Sequence, residues 1–325
     1  MSDPNTSLPS ESYFIIVGVP GLQEHYTTLF LIFLILFLAT MLGNLLIIVL
    51  VSLDPRLHTP MYFFLWNLAV LDVLLTITIT PKLLAVFLGH NRISFTGCFL
   101  QMYFYVSISA SEVFLVGAMA YDRYVAVVKP LHYNTIINTK ACLMMTATVW
   151  AVGFLIPLVS LILASSVPFC TSNHVLHVVC EYPSVMSLAC ADVTAQVNFA
   201  LLIAMGSVWG PFLFVLWSYS RIIVSVVKMK TVESRKKAFY MCSSHMLVVV
   251  LYYVSTSMVY IALRVDSIPP NGRIFIGGLN YFLTPLVNPL IYSLRNEKIK
   301  AAAQRYFGLK SAFPHSARNT VRVVK

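Results

Sequence analysis

The sequence predicts an all-α membrane protein: a seven-transmembrane helix bundle followed by a short amphipathic helix. Three observations predict it. Only 10% of the 325 residues are charged and 58% are hydrophobic, with a mean hydropathy of +0.81; soluble domains carry roughly 25% charged residues, so this chain cannot coat a soluble surface. Apolar runs recur near 25–51, 58–86, 95–128, 140–164, 195–228, 238–264 and 273–293, each reaching the ~20 residues a helix needs to cross a bilayer. The basic residues are also unevenly placed. Lys82, Arg92, Arg264 and Arg273 are scattered, and the other 22 − 4 = 18 Lys and Arg fall at Arg56, at 123–140, at 221–237 and from Arg295 on. Positive charge gathered in alternate loops and the tail is the positive-inside pattern. It explains the net charge of +10 through orientation and calls for no nucleic acid.

Residues 1–24 hold Asp3, Glu11 and Glu24 and no Lys or Arg, so they lack the basic start of a cleaved signal peptide. They read as an extracellular tail, and Asn5-Thr6-Ser7 is a glycosylation sequon that suits this placement. Residues 25–293 form the seven-span unit. The longer spans must tilt or extend past the hydrocarbon. An odd number of spans separates the termini, so a basic C-terminus inside puts the N-terminus outside. The loops 52–57, 129–139 and 229–237 are then cytoplasmic. Strands of a membrane barrel would be ~10 residues long and alternating, and no stretch reads that way. In 294–310, Ile299, Ala302, Ala303, Tyr306 and Phe307 share one helical face with Lys298, Lys300 and Arg305 elsewhere, which suits a helix lying on membrane lipid. Residues 311–325 read as a disordered cytoplasmic tail. The expected location is the plasma membrane, multi-pass.

Cys142 and Cys242 lie in or beside apolar runs, as small buried hydrophobes. Cys98, Cys170, Cys180 and Cys190 fall on the outer side, where an oxidising compartment favours two disulfides; four cysteines allow three pairings. Within the spans lie Asn44, Asp72, Glu112, Asp122, Arg123 and His245, and Asn288-Pro289 with Tyr292 closes the seventh. Any one of these could be hydrogen-bonding glue between helices. Two buried carboxylates, Asp72 and Glu112, suggest a cation or proton site, with His245 as a partner for Glu112; a purely structural Glu–His bond is the equal alternative.

Several long motifs occur in order: Gly43-Asn44, Leu57-His-Thr-Pro-Met-Tyr-Phe-Phe-Leu65 leading to Leu71-Asp72, Met119-Ala-Tyr-Asp-Arg-Tyr-Val-Ala126, Ser218-Tyr219, Lys237-Ala-Phe239 with Cys242-Ser-Ser-His245, and Pro285-Leu-Val-Asn-Pro-Leu-Ile-Tyr-Ser-Leu-Arg-Asn296. Over roughly 14–307 the chain closely resembles the odorant (olfactory) receptors, rhodopsin-like G-protein-coupled receptors. Val19-Pro20-Gly21-Leu22 and Arg264 are similar to the fish-like class, and Pro285–Asn296 to the terrestrial class. The resemblance implies disulfides Cys98–Cys180 and Cys170–Cys190. It implies an activation switch of Asp122, Arg123, Tyr124, Tyr219, Tyr253, Asn288, Pro289 and Tyr292, in which Arg123 leaves Asp122 for Tyr219 and Tyr292. It places Asp72, Glu112 and Asn288 in a polar middle where family members can hold sodium; Asn44 and His245 join Asp72 and Glu112 as polar-core or ion-site candidates by their position in the spans. The implied partner is the stimulatory olfactory heterotrimeric G protein, acting through cyclic AMP.

In that family the ligand lies between the outer halves of spans three, five, six and seven. Tyr105, Val106, Ser109 and Ala110 share a face of span three. Thr256, Ser257, Tyr260 and Arg264, with Tyr253, share one on span six; Ile203 and Ser207 look in from span five and Tyr281 from span seven. Such a lining suits a small, mainly apolar odorant with one polar group. An inward Arg264 would favour a carboxylate or amino acid; an outward one would pair with Asp266 and leave the ligand neutral. The mapped face of span three carries no carboxylate, which disfavours a simple amine, although Glu181 in the outer loop keeps it open. No cofactor is implied. The chain has no HExxH, nucleophile elbow or phosphate loop, so an enzyme is the weakest reading. The alternatives are an ion- or proton-coupled transporter, argued from the buried carboxylates but lacking repeats, and a non-olfactory rhodopsin-like receptor.

Overall fold

The structure, a computed structural model, describes residues 13–169, 172–265 and 267–308. Its long helices are α1 (Tyr26–Leu53), α2 (Pro60–Phe87), α3 (Phe95–Val128), α4 (Thr139–Ser165), α5 (Thr194–Val227), α6 (Val232–Arg264), α7 (Pro270–Arg295) and α8 (Glu297–Phe307). The first seven are long and apolar enough to cross a membrane.

What each helix buries follows from where it stands. On α1, Thr40, Asn44, Ile47 and Val51 are buried at helical spacing against α2 and α7. The remainder of α1 is as apolar as its inner stripe: Leu42 is 72% exposed, a face that lipid solvates as readily as protein would. α3 is the central helix, buried along most of its length and packed on α2, α4 and α5. The close approach of α4 depends on Gly153, where a Cβ would collide with Ser111, reaching 2.9 Å from its backbone nitrogen. Pro289 in α7 has no N–H for the Pro285 carbonyl one turn earlier. Asn44 Nδ2 donates to that carbonyl instead, at 2.9 Å. Gly43 leaves room for the proline ring, since a Cβ there would lie 3.0 Å from Pro289 Cγ.

The caps explain where helices begin. Ser94 Oγ accepts from Gly97 N at 3.0 Å to open α3, and Asn138 Oδ1 from Ala141 N at 2.9 Å to open α4. α6 starts inside the stretch 229–237 expected to be loop. Thr231 caps it by accepting from Ser234 N at 3.2 Å, and the following Glu233, Arg235, Lys236 and Lys237 are strong helix formers that carry it beyond the apolar run. α7 continues to Arg295, so the amphipathic helix opens at Glu297 instead of 294. Asn296 caps it (Lys298 N at 3.1 Å, Ile299 N at 3.3 Å) and also accepts from Tyr62 OH at 2.8 Å. Gly308, at φ +63°, ends it. Arg305 pairs with Asp54 in the α1–α2 loop, and Tyr306 donates to the Leu53 carbonyl.

At the other end of the bundle the N-terminal tail adds an element that its sequence did not announce. Strand β1 (Tyr13–Ile16) lies between β2 (Arg92–Ser94), antiparallel, and β3 (His174–Val175), parallel. Four residues without a partner make no strand; these are strand because two distant segments supply the ladder. Phe14 and Ile16 are fully buried in a cluster with Val86, Met102 and Val185 around the disulfide Cys98–Cys180. Cys190 is also disulfide-bonded; Cys170 and Asn5 lie outside the described residues. Cys142 and Cys242 are free and buried.

Candidate functional site

Two regions stand out within the bundle, an apolar cavity under the outer sheet and a chain of polar groups toward the inner end. Under the sheet is a cavity of about 220 Å³. It is below the ~300–1,000 Å³ usual for drug-sized ligands, so it fits a small molecule. Tyr105, Val106, Ser109 and Ala110 line it from α3 and Ile203 and Ser207 from α5, with Thr256 from α6. The roof is Glu181, Tyr182 and Pro183 of the outer loop, tied to α3 by the Cys98–Cys180 bridge. Burial pushes the Tyr182 phenol above its ordinary value, so it is a neutral donor.

Part of the expected lining is corrected. Ser257 and Tyr281 do not line this cavity, and Tyr253 turns away to pack on Phe212 at a 4.5 Å ring separation. The inward face of α6 is Tyr252, Thr256 and Val259, spaced i, i+4, i+7 and rotated from the expected face. Tyr252 is held there by donating to the Ser109 carbonyl at 3.3 Å. Both faces carry a tyrosine and share Thr256, so hydropathy alone could not fix the helix phase. In place of α7, α4 contributes Ile156, Pro157, Ser160 and Leu161. Tyr281 is buried against Tyr105 at 4.9 Å and beside His177 at 6.2 Å. The side chains of Tyr260 and Arg264, and the whole of Asp266, lie outside the described residues.

The inner region is a chain of buried polar groups. Asn288 Nδ2 donates to both oxygens of Asp72, at 3.2 and 3.1 Å. Glu112 faces Asp72 closely enough to interact, and its Oε1 has no hydrogen-bond partner. His245 does not pair with Glu112 as expected. Its Nδ1 meets Tyr219 OH at 2.6 Å and its Nε2 meets the Val116 carbonyl at 3.2 Å. The reason is position: His245 stands nearly one helical turn nearer the inner end of α3 than Glu112 does, beside Val116. Arg123 lies 3.6 Å from Asp122, whose Oδ1 accepts from Tyr133 OH at 2.6 Å. Burial and the Asp122 carboxylate push the Tyr133 phenol upward, which keeps it a donor. Tyr124 packs on Trp217 at 5.0 Å. Arg123 Nε and Tyr292 OH are buried without partners. Among the described residues no group of three or more His, Cys, Asp or Glu is placed to hold a metal.

Seven helices in this order, roofed by a disulfide-tied outer loop and closed inside by an Asp-Arg pair, define a rhodopsin-like receptor. The crystal structure of squid rhodopsin aligns with a TM-score of 0.70 over 89% of this chain and 82% of that one, at 17% identity, which shows the fold. The family model for olfactory receptors matches residues 33–310. Olfactory receptor 2AT4 of Homo sapiens is 41% identical over 300 residues, 92% of this chain and 93% of the relative. Olfactory receptor 2V1 of Mus musculus is 39% identical over 293 residues, 90% and 93% of the two chains. The chain belongs to the olfactory receptor family. It is a multi-pass plasma-membrane receptor and not an enzyme.

Proposed function

We propose that the protein is an odorant receptor that binds a small, mainly apolar molecule in the cavity under the outer loop and activates the stimulatory olfactory G protein. The observation that carries this reading is the cavity: apolar walls, a roof bound covalently to α3, and Thr256 Oγ1 buried in the lining without a hydrogen-bond partner. A buried hydroxyl left unpaired costs free energy, and a ligand hydroxyl or carbonyl would satisfy it. The N-terminus is extracellular and carries a glycan at Asn5; the basic C-terminus is cytoplasmic.

Ligand binding shifts the population toward a state in which the inner end of α6 moves outward. Arg123 then leaves Asp122 and packs beside Tyr219 and Tyr292. The unpartnered Arg123 Nε and Tyr292 OH are groups for which this rearrangement supplies partners. Arg221, Lys228, Lys230, Arg235, Lys236 and Lys237 receive the G protein. The test is cyclic AMP output from cells expressing wild type and Arg123→Ala, with surface labelling of both. The variant should reach the surface and give no odorant response. Wild-type cyclic AMP output from the variant would overturn the mechanism.

A further inference from the structure

The cavity has a charge that its apolar walls do not explain. Among the described residues that line it, Glu181 is the only one carrying an acidic or basic side chain other than tyrosine. Its side chain is 16% exposed, and Oε2 lies 2.9 Å from His177 Nε2. His177 is itself buried, and its Nδ1 accepts from Val179 N at 3.4 Å. An imidazole nitrogen that accepts is unprotonated, so the ring proton is on Nε2 and is donated to Glu181. The pair is then a neutral imidazole hydrogen-bonded to a carboxylate. His177 occupies one lone pair of Glu181 without cancelling its charge. A carboxylate left uncompensated at an apolar cavity is costly, and a cation brought beside it is correspondingly favoured. The lining supplies a second attraction of the same sign. Tyr103, Tyr105, Tyr182 and Tyr252 all border the space, and aromatic faces attract ammonium groups.

We infer that this cavity selects hydrophobic amines, the ammonium pairing with Glu181 in the roof while the hydrocarbon lies against the walls of α3, α4 and α5. The inference rests on the cavity being the ligand site. It reverses the expectation of an acidic ligand, because the described lining offers a carboxylate and no cation. His177 becomes a competitor for Glu181. It also sits over α7, with Nε2 at 3.5 Å from where a Cβ on Gly277 would be, so release of its bond to Glu181 is felt by that helix.

The test compares hexylamine, hexanol and hexanoic acid, with the pentyl to octyl homologues of each, on the full chain in cells reading cyclic AMP. The variants are Glu181→Gln, Glu181→Asp, His177→Asn and Thr256→Leu, all with surface labelling. The expected result is a wild-type potency order of amine, alcohol, acid. Glu181→Gln should lower amine potency about tenfold or more relative to the alcohols, the size of a charge-assisted hydrogen bond. Glu181→Asp should restore part of the loss, and His177→Asn should raise amine potency. Alcohol responses that Thr256→Leu weakens, with amines no more potent than alcohols or unaffected by Glu181→Gln, would overturn the amine assignment and leave the cavity standing. Responses to alcohols and amines that ignore Thr256→Leu would overturn the cavity itself. If Glu181→Gln fails to reach the surface, Glu181→Asp and His177→Asn decide: amine potency unmoved in both overturns the proposal.

Discussion

The outer and inner halves of the bundle solve opposite problems. The outer half keeps a space open. It does so with constraints from outside the bundle: a disulfide, a three-stranded sheet and a folded loop hold the helix ends apart while the walls between them stay apolar. The inner half fills its centre with polar groups that hold one another: Asn44 on a proline-freed carbonyl, Asn288 on Asp72, Tyr219 on His245 and Tyr133 on Asp122. The first arrangement makes shape independent of what occupies it. The second makes shape depend on which partner each group has chosen, and such a region can switch.

The sharpest way to break the comparison is to remove the outer constraint. Cys98→Ser should cost about 2–5 kcal/mol and abolish surface labelling, while an inner substitution such as Arg123→Ala should not; equal surface levels for the two would erase the distinction. A smaller effect tests packing between the halves. Gly153→Val drives a side chain into Ser111 and should destabilise by about 1–3 kcal/mol, seen as a lower melting temperature of the purified receptor. Gly206→Val, on a face of α5 with nothing near its Cβ, should leave melting unchanged. Next comes the switch. Tyr133→Phe removes one bond to Asp122, worth about 1 kcal/mol, so basal cyclic AMP should rise up to about fivefold with ligand potency little changed. No rise would place Asp122 under some other control. The smallest effect is at the membrane edge. Arg305, more than the Arg56 N–H, holds Asp54 below the ordinary carboxylate range. A depressed carboxylate stabilises above its unfolded value and loses that contribution as pH falls through the folded one. Asp54→Asn should therefore lower the melting temperature slightly at neutral pH, and the difference should vanish in strong acid; a constant difference would refute the ion pair as its source.

Legibility followed the same division. Inner residues could be found in the sequence because a charge, an amide or a proline inside hydrocarbon is conspicuous by type alone: Asn44, Asp72, Asp122, Arg123 and Asn288 needed no knowledge of helix rotation. Their partners were harder to read, as His245 shows, because partnership depends on helix depth to within a turn. The seven spans were legible to within a few residues except at α6, whose N-terminal extension from Val232 is polar. In the outer half, Tyr252 and Tyr253 look alike in the sequence, and only tertiary packing turns one toward the cavity. The contribution of α4 and the strand character of Tyr13–Ile16 have no local signature, since both arise from partners far along the chain.

That last feature bears on how the protein is made. Ile15 pairs with His174, so 174 − 15 = 159 residues separate a strand from the partner that completes it. At synthesis rates of about 5–20 residues per second, β1 waits roughly 8–30 s for β3, with β2 and Phe95 able to pair with it first and its other edge still open. It is an open strand edge beside an unfinished apolar cluster, and over that interval chaperones compete with its own fold for it.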